Sequence, residues 1–474
     1  MIILGTNSVK AAGGFNVENS CRFDSASEQT LEKSQSAGNR NTATFSAWIK
    51  RTKLSSNLAF FAIYGAQSDA GQIEIRFNGT GDGLQIGGYA TVWEKTSASF
   101  RDISAWYHVV VAIDTTDSTA NDRIKIYVNG VLQAAAATGD LAEDEDLPFG
   151  LNNADVVIGS RKMSGGLRDF FSGYMAEVVL IDGAALAPTS FGEFDDNGIW
   201  IPIDVSGLTF GTNGFYLDFK VSANLGNDAN GGTDLGETNI AAVDQSTDTC
   251  TNNFATMNSL DNFYQGATFS DGNLTVTTTN SSQSYSTSSI MVSSGKWYVE
   301  CKPVSGGSEP EIGVAYKMVG VANGNNAQLS YNANGYGYRA SNPGTVWYNG
   351  SAVSTGFSQY ANGDIIGIAL DLDNNKLYFR KNNEAWGNSG NPESGATGTG
   401  AISIVDPAST DMGAYAFAMN ENFNDQNKVF SWNFGSPPFA ISSSNTDGDG
   451  FGNFEYAVPS GYFALCTKNL AEYG

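Results

Sequence analysis

Basic residues are scarce in this chain: Lys and Arg number 25 against 49 Asp and Glu, a formal net charge of −24 at pH 7. So acidic a surface repels phosphates, and no nucleic-acid partner is expected. Histidine occurs once, at His108, and the four cysteines Cys21, Cys250, Cys301 and Cys466 are scattered with no Cys-x-x-Cys pair. Nitrogen and sulfur ligands are therefore too few for a zinc site, and free, buried thiols are expected. No apolar run approaches the roughly 20 residues of a membrane span, and Met1 to Asn7 has neither the basic flank nor the apolar length of a signal peptide. The expectation is a chain made in the cytosol that stays soluble and inserts into no membrane.

Glycine, by contrast, is abundant: 55 of the 474 residues, beside 12% aromatics, 41% hydrophobics and only 16% charged residues. This balance favours strands and turns over helices, and the length exceeds what one core organises. An all-β chain of two or three domains is expected. In Arg123 to Gly130, Ile124, Ile126 and Val128 share one face and Lys125 and Tyr127 the other, while Asn129-Gly130 supplies the φ > 0 positions of a tight hairpin. Gln72 to Gly79 repeats the device, and Phe45 to Lys50, Trp106 to Val111 and Gly173 to Gly183 add further short strands. Asp117 to Asp122 and Leu141 to Asp146 read as polar rim loops.

Between about Ser206 and Asp261 the periodicity fades, and Asn, Gly and Asp dominate Asn224 to Gly232, which reads as a connector with little core of its own. Strands return at Leu274 to Thr277, Lys296 to Cys301, Gly363 to Asp373, Lys376 to Asn382 and Val429 to Gly435. Ile365 to Leu372 is apolar at both parities and reads as a strand covered on both faces. The expected division is 1–19 as an N-terminal docking segment, 20–205 as one sandwich, 206–262 as the connector and 263–474 as a second sandwich with a C-terminal tail.

The first series of strands resembles the laminin-G-like, concanavalin A-like lectin sandwich. Gly363-Asp364-Ile365-Ile366-Gly367-Ile368-Ala369-Leu370-Asp371, followed by Leu377-Tyr378-Phe379-Arg380-Lys381-Asn382, resembles the hallmark strands of the SPRY domain, and Lys296 to Glu300 and Trp432 to Gly435 also fit. The order of the two, with Ser36 to Arg40, Ile181 to Gly183, Ser190 to Phe194, Phe215 to Lys220, Thr251 to Phe254 and the closing Pro459 to Tyr462 and Ala464 to Leu470, resembles structural proteins of tailed bacteriophages.

That resemblance implies two tandem concanavalin A-like, jelly-roll β-sandwiches in a virion component assembled in the host cytoplasm. The component would be a tail-fibre or receptor-binding subunit, or a head decoration, that presents lectin-like sandwiches for host-surface or glycan recognition; the alternative is a purely architectural decoration subunit that binds other virion proteins. Its partners would be other phage virion proteins and a host cell-surface glycan or protein, with the chain acting as a homo-oligomer. The heptad shaft, collagen-like repeat and extended anchor of long fibres are missing, so contacts are expected on sandwich faces and on Met1 to Asn19.

Glucanases share the concanavalin-like fold and need Glu-x-Asp-x-x-Glu on one strand face. The nearest match here, Glu193-Phe194-Asp195-Asp196-Asn197-Gly198, has Gly198 in place of the second acid, so no catalytic residues are assigned and a carbohydrate-active enzyme is the less favoured alternative. His108 stands on a strand with no Ser or Cys nearby in sequence and reads as structural. No cofactor is required, and calcium is the ion that the oxygen-rich stretches would suit. The residues named for it are Asp24, where the lectin resemblance places an oxygen ligand, Glu177 beside Ala176 in Gly173 to Val178, and Asp447 and Asp449 in an oxygen-alternating turn.

For sugar binding, Tyr331, Tyr336, Tyr338 and Arg339 with Trp347 and Tyr348 offer flat rings beside hydrogen-bonding groups. The alternative, and the preferred one, is that Tyr336 and Tyr338 share one strand face and pack into the sandwich.

Overall fold

The computed structural model describes residues 14–138, 141–262, 266–278, 285–306, 310–319, 328–421 and 427–474. Contacts divide the chain into two units whose sequence boundary falls between Asn253 and Phe254. Each is a β-sandwich. Among the described residues the one α-helix is Thr467–Tyr473.

The first unit contains two eight-stranded sheets. One runs in the order Val131–Leu132, Ile124–Val128, Tyr107–Asp114, Thr42–Arg51, Gly173–Asp182, Ser20–Phe23 and Gln245–Ser246, with Phe215–Leu217 also paired to Gly173–Asp182. The other runs Ala135–Thr138, Val92–Thr96, Leu84–Gly87, Gln72–Phe77, Leu58–Tyr64, Asp155–Ile158, Thr30–Ser34 and Gly236–Thr238. Strand alternation sends Phe45, Ala47 and Ile49 into the core with Phe60, Phe61, Ile73 and Ile75 of the facing sheet. Trp48, of opposite parity, joins a separate apolar cluster with Trp106, Tyr174, Trp200 and Cys250. Asn129 and Gly130 take φ of 49° and 76° and close the tight turn into Val131–Leu132, as the Asn-Gly pair predicts. All four cysteines are buried and none is in a disulfide among the described residues.

The second unit also holds two sheets. One is ordered Thr268–Ser270, Thr275–Thr277, Val429–Asn433, Lys296–Ser305, Ile366–Asp371, Lys376–Lys381 and Ile402–Ser403, with Phe463–Ala464 paired in parallel to Lys296–Ser305. The other is ordered Tyr285–Thr287, Ala416–Asn420, Glu311–Ala315, Gly335–Arg339, Gly344–Tyr348 and Ser351–Phe357. The strand Ile366–Asp371 is buried at every position: Ile366, Ile368 and Leu370 enter the main core, and Ala369 packs in a second cluster with Tyr298, Tyr378 and Phe454. This is the doubly covered strand that its apolar run predicts.

Two sequence expectations require correction. The stretch 206–262 is not a connector. Up to Asn253 it is a strap built into the first sandwich, and Phe254 already belongs to the second unit, where it bridges to Cys466. The strap adds Phe215–Leu217, Gly236–Thr238 and Gln245–Ser246 to the two sheets and buries Phe215, Leu217, Phe219, Leu225 and Leu235 in the core. Its Asn and Asp residues, which read as loop signals, satisfy backbone donors where ladders end: Asp228 Oδ1 accepts from the Tyr216 N–H at 3.0 Å and Asn213 Oδ1 from the Ser36 N–H at 2.7 Å.

The domain boundary after residue 19 is the second correction. Residues 1–13 lie outside the described residues, but Val17 is buried, exchanges hydrogen bonds with Thr251 Oγ1 at 3.1 and 2.9 Å, and packs in the Trp48 cluster. Residues 14–19 are thus part of the first sandwich.

Candidate functional site

A groove of about 350 Å³ opens in the second unit. It lies where Lys296–Ser305 ends and Glu311–Ala315 begins, beside the residues that follow Gly335–Arg339 and Ser351–Phe357. Its apolar surface is supplied by Pro303, Pro310, Ala340 and Tyr360, and its polar groups by Ser341, Asn342, Gln359 and Asn362. Tyr360 is fixed, because its hydroxyl is held between the carbonyl oxygens of Pro310 (2.7 Å) and Tyr338 (3.0 Å). Asn342, Gln359 and Asn362 are exposed and present amide donors and acceptors. The volume is at the lower end of the roughly 300–1,000 Å³ of small-molecule sites and suits one or two sugar rings. Among the described residues, no carboxylate or imidazole lines it.

Strand parity divides the aromatic set named from the sequence. Tyr336, Tyr338 and Tyr348 face the core: Tyr336 and Tyr348 stack at 4.4 Å, and Tyr338 packs edge-on to Tyr360 at 4.9 Å. Tyr336 and Tyr338 are buried to 3% and 1% exposure, so neither is a stacking platform for a sugar. Arg339 and Trp347 lie on the other face, with the guanidinium 4.1 Å from the Trp347 ring and committed to the buried Glu311 carboxylate. Tyr331 alone of the six is largely exposed, at 57%. The six therefore do not form one site, because neighbours in sequence along a strand point to opposite faces.

Comparison with known protein families adds to this geometry. The concanavalin A-like lectin/glucanases superfamily model matches residues 24–189 and the SPRY domain model matches residues 295–392. The chain carries a concanavalin A-like domain followed by a SPRY domain. Among solved structures, it is similar to the SPRY domain of human HERC1, with 18% identity and a TM-score of 0.27 over 35% of this chain and 92% of that one. It is also similar to the heptameric SAP-like pentraxin of Limulus polyphemus, with 16% identity and a TM-score of 0.29 over 37% of this chain and 80% of that one. No curated protein matches the chain.

The carboxylates named for calcium do not converge. Asp24 and Glu177 belong to the unit with the concanavalin A-like domain, Asp447 and Asp449 to the unit with the SPRY domain, and no three His, Cys, Asp or Glu side chains gather among the described residues. Three of them are also engaged with the protein itself. Asp24 Oδ1 caps the Ala26 N–H at 3.0 Å, and Glu177 Oε2 accepts from Tyr216 Oη at 2.6 Å. Asp447 accepts from the N–H groups of Asp449, Phe451 and Ala464 and from Asn469 Nδ2, all at 2.8 to 3.0 Å, and so anchors the C-terminal tail. These residues do not fit a calcium site.

Glu177 sits at a bulge in Gly173–Asp182 with φ of 50°, and Tyr216 Oη donates to its Oε2 at 2.6 Å. Burial raises its pKa to about 7, with Asp218 and Asp204 adding to the rise and Lys220 opposing it. The folded chain thus keeps a proton on Glu177 up to about pH 7, whereas the unfolded chain releases it near 4.5. Stability from this group is complete below 4.5 and falls as pH rises through 7, by about 3 kcal/mol. Glu177→Gln, which keeps the Tyr216 bond, is expected to match the parent in thermal melts at pH 5 and to exceed it at pH 8. Parallel melting curves at both pH values would contradict the assignment.

His108 proves to be a core residue of the concanavalin A-like domain. Trp200 Nε1 donates to Nδ1 at 2.9 Å, which places the ring proton on Nε2, where it faces Ser46 Oγ at 2.9 Å. Burial lowers its pKa to about 3, and Trp48 stacks on it at 4.7 Å. A ring protonated at Nε2 cannot take the proton of Ser46, so the pair is no nucleophile and base. Glu193 is exposed on the short hairpin Gly192–Phe194 with Trp200–Pro202, and the N–H groups of Ile199 and Asn197 hold the Asp195 carboxyl below the usual range. This is turn chemistry, as the Asp-Asn-Gly run predicts. The groove was missed from the sequence. Pro303, Pro310 and the Gln359-Tyr360 pair flanking strands were its only signal.

Proposed function

We propose that the protein is a non-enzymatic recognition component whose SPRY domain binds a cell-surface glycan in the groove between Pro303 and Asn362. The observation that carries this reading is the groove's chemistry: an apolar wall, three exposed amides and, among the described residues, no acid, base or activated nucleophile. Such a lining offers stacking and hydrogen bonds but cannot move the protons that glycoside cleavage needs.

The resemblance of phrases along nearly the whole chain to tailed-phage structural proteins supports a virion setting, on a tail fibre or as a head decoration, with other virion proteins as neighbours. Repeated copies would raise weak single-site binding to useful avidity by effective concentration.

A glycan array and whole host cells test the reading. The chain is expected to bind a subset of glycans without hydrolysing them. Replacing Asn342, Gln359 and Asn362 together by Ala removes three hydrogen-bonding side chains at about 0.5–1.5 kcal/mol each, a loss of roughly tenfold or more in affinity with the melting temperature unchanged. Binding unaffected by the triple substitution would overturn the groove assignment, and turnover of any bound glycan would overturn the non-enzymatic one. Labelled particles imaged intact would place the subunit on head or tail, and absence from purified particles would refute the virion setting.

A further inference from the structure

On the strand Thr42–Arg51, Lys50 has the parity of Trp48 and projects away from the main core, yet it is fully buried beneath the strap. Its Nζ lies 2.7 Å from Asp248 Oδ2 and 2.7 Å from Asn253 Oδ1. Asp248 is held by Trp106 Nε1 at 3.1 Å, Asn253 Nδ2 donates to the Ser104 carbonyl at 2.6 Å, and the Tyr174 ring lies 5.4 Å from the amine. An amine, a carboxamide and a carboxylate thus meet in a water-poor pocket walled by aromatic rings.

A purely structural ion pair is a poor explanation of this arrangement. Burying a Lys and an Asp costs more solvation than their attraction reliably returns, and apolar residues would do as well. The adjacent Arg51, whose guanidinium is no nucleophile, is buried against Asp82 and the carbonyls of Lys53 and Phe100, with no side-chain amide among these partners. At Lys50 the residue is instead one that becomes a nucleophile once it loses a proton, and the partner that can take the proton is in place. The electrophile is equally close. With Oδ1 at 2.7 Å and a C=O bond of about 1.23 Å, Nζ is no farther than about 3.9 Å from Asn253 Cγ, so a swing from the oxygen lone pair to the carbonyl face brings it to attack distance.

The geometry points to a self-formed isopeptide bond between Lys50 and Asn253, with Asp248 as the catalytic proton relay. Nζ forms a bond to Cγ and the Cγ–Nδ2 bond breaks. Of the three ammonium protons, one stays on the new amide nitrogen and two pass through Asp248 to Nδ2, which departs as ammonium. Asp248 ends as it began, and no oxidant, reductant or cofactor enters. The exclusion of water keeps the tetrahedral adduct from hydrolytic side reactions.

The consequence is mechanical. Asn253 is the last residue of the first unit, and the bond would tie it to a central strand of that unit's sheet across 203 positions of chain. Tension arriving from the following unit would then be borne by a covalent bond, and the strap would not peel from the sandwich. That property suits a protein that holds particles to surfaces, but the inference rests on the pocket alone and stands or falls independently of glycan binding.

Intact mass of the folded full-length chain decides it. The expected result is a mass below that of the sequence by one ammonia, about 17 Da, together with a branched tryptic peptide joining 41–51 to 221–296, since trypsin does not cut at an acylated lysine. Lys50→Arg and Asp248→Asn are each expected to restore the full mass and to slow migration in denaturing gels, where a closed loop runs ahead of an open chain. A full unmodified mass for the native chain would overturn the proposal. So would a loss of ammonia mapped elsewhere, such as to an Asn-Gly succinimide.

Discussion

A fragment ending at residue 205 is expected to be unfolded, while one ending at residue 253 melts cooperatively. The strap between these ends supplies Phe215, Leu217, Phe219, Leu225 and Leu235 to the main core and Phe210 and Tyr216 to a second cluster with Val110, Val179 and Ile181. Burial of such side chains contributes about 1.5–3 kcal/mol each, so their removal takes away on the order of 10 kcal/mol, which is comparable to the whole stability of a domain. The loss is compounded by charge. Arg22, which pairs with Asp244 at 3.8 Å, and Lys50, which pairs with Asp248 at 2.7 Å, would lose their partners on the strap. Circular dichroism and thermal melting of the two fragments check the expectation. A stable 1–205 fragment would show that the strap is an accessory.

Arg339→Ala is expected to destabilise the SPRY-containing unit by about 3–5 kcal/mol, the cost of leaving a buried carboxylate without its counter-charge. Glu311 is wholly buried, and its oxygens accept from Arg339, from Ser330 Oγ at 2.6 Å and from Asn420 Nδ2 at 3.1 Å. Arg339 Nη2 also reaches Ser330 Oγ at 3.2 Å, so truncation disturbs Glu311 and Ser330 together. By comparison Lys317→Ala, which breaks a pair with the exposed Asp411, should cost no more than about 1 kcal/mol. Denaturant titration of both variants separates the two cases. A ligand-binding Arg339 would lose affinity and leave stability unchanged, so a small stability effect would return Arg339 to the candidate binding residues.

Several features of the fold are legible in the amino-acid pattern. The Asn129-Gly130 hairpin follows from two residues that tolerate positive φ, and the doubly covered strand from aliphatic residues at both parities in Ile366–Asp371. Both signals are local: a turn conformation and a side-chain period are properties of a few consecutive residues. The strap is not legible, because its strands are only two or three residues long and pair with strands whose partners lie elsewhere in the chain, as Gly236–Thr238 does with Thr30–Ser34. Asn and Gly there read as loop because composition does not reveal which backbone groups a distant sheet edge will satisfy.

The aromatic set divides between two faces for a related reason, and Tyr336 and Tyr338 pack into the sandwich as the preferred reading has it. Tyr338 and Arg339 are adjacent in sequence and chemically apt for a sugar, yet one packs against Phe379 in the core and the other lies over Trp347 on the opposite face. The amino-acid sequence by itself determined the class of fold, the placement of strands and turns, and the lack of a paired-acid motif, since each depends on residue type and short spacing. Only the tertiary structure decided that 206–253 completes the first sandwich, that Pro303 and Asn362 share a groove, and that Lys50 meets Asp248 and Asn253. These are meetings of residues tens to hundreds of positions apart, and they follow from strand register and sheet order, which long-range packing selects and local pattern does not encode.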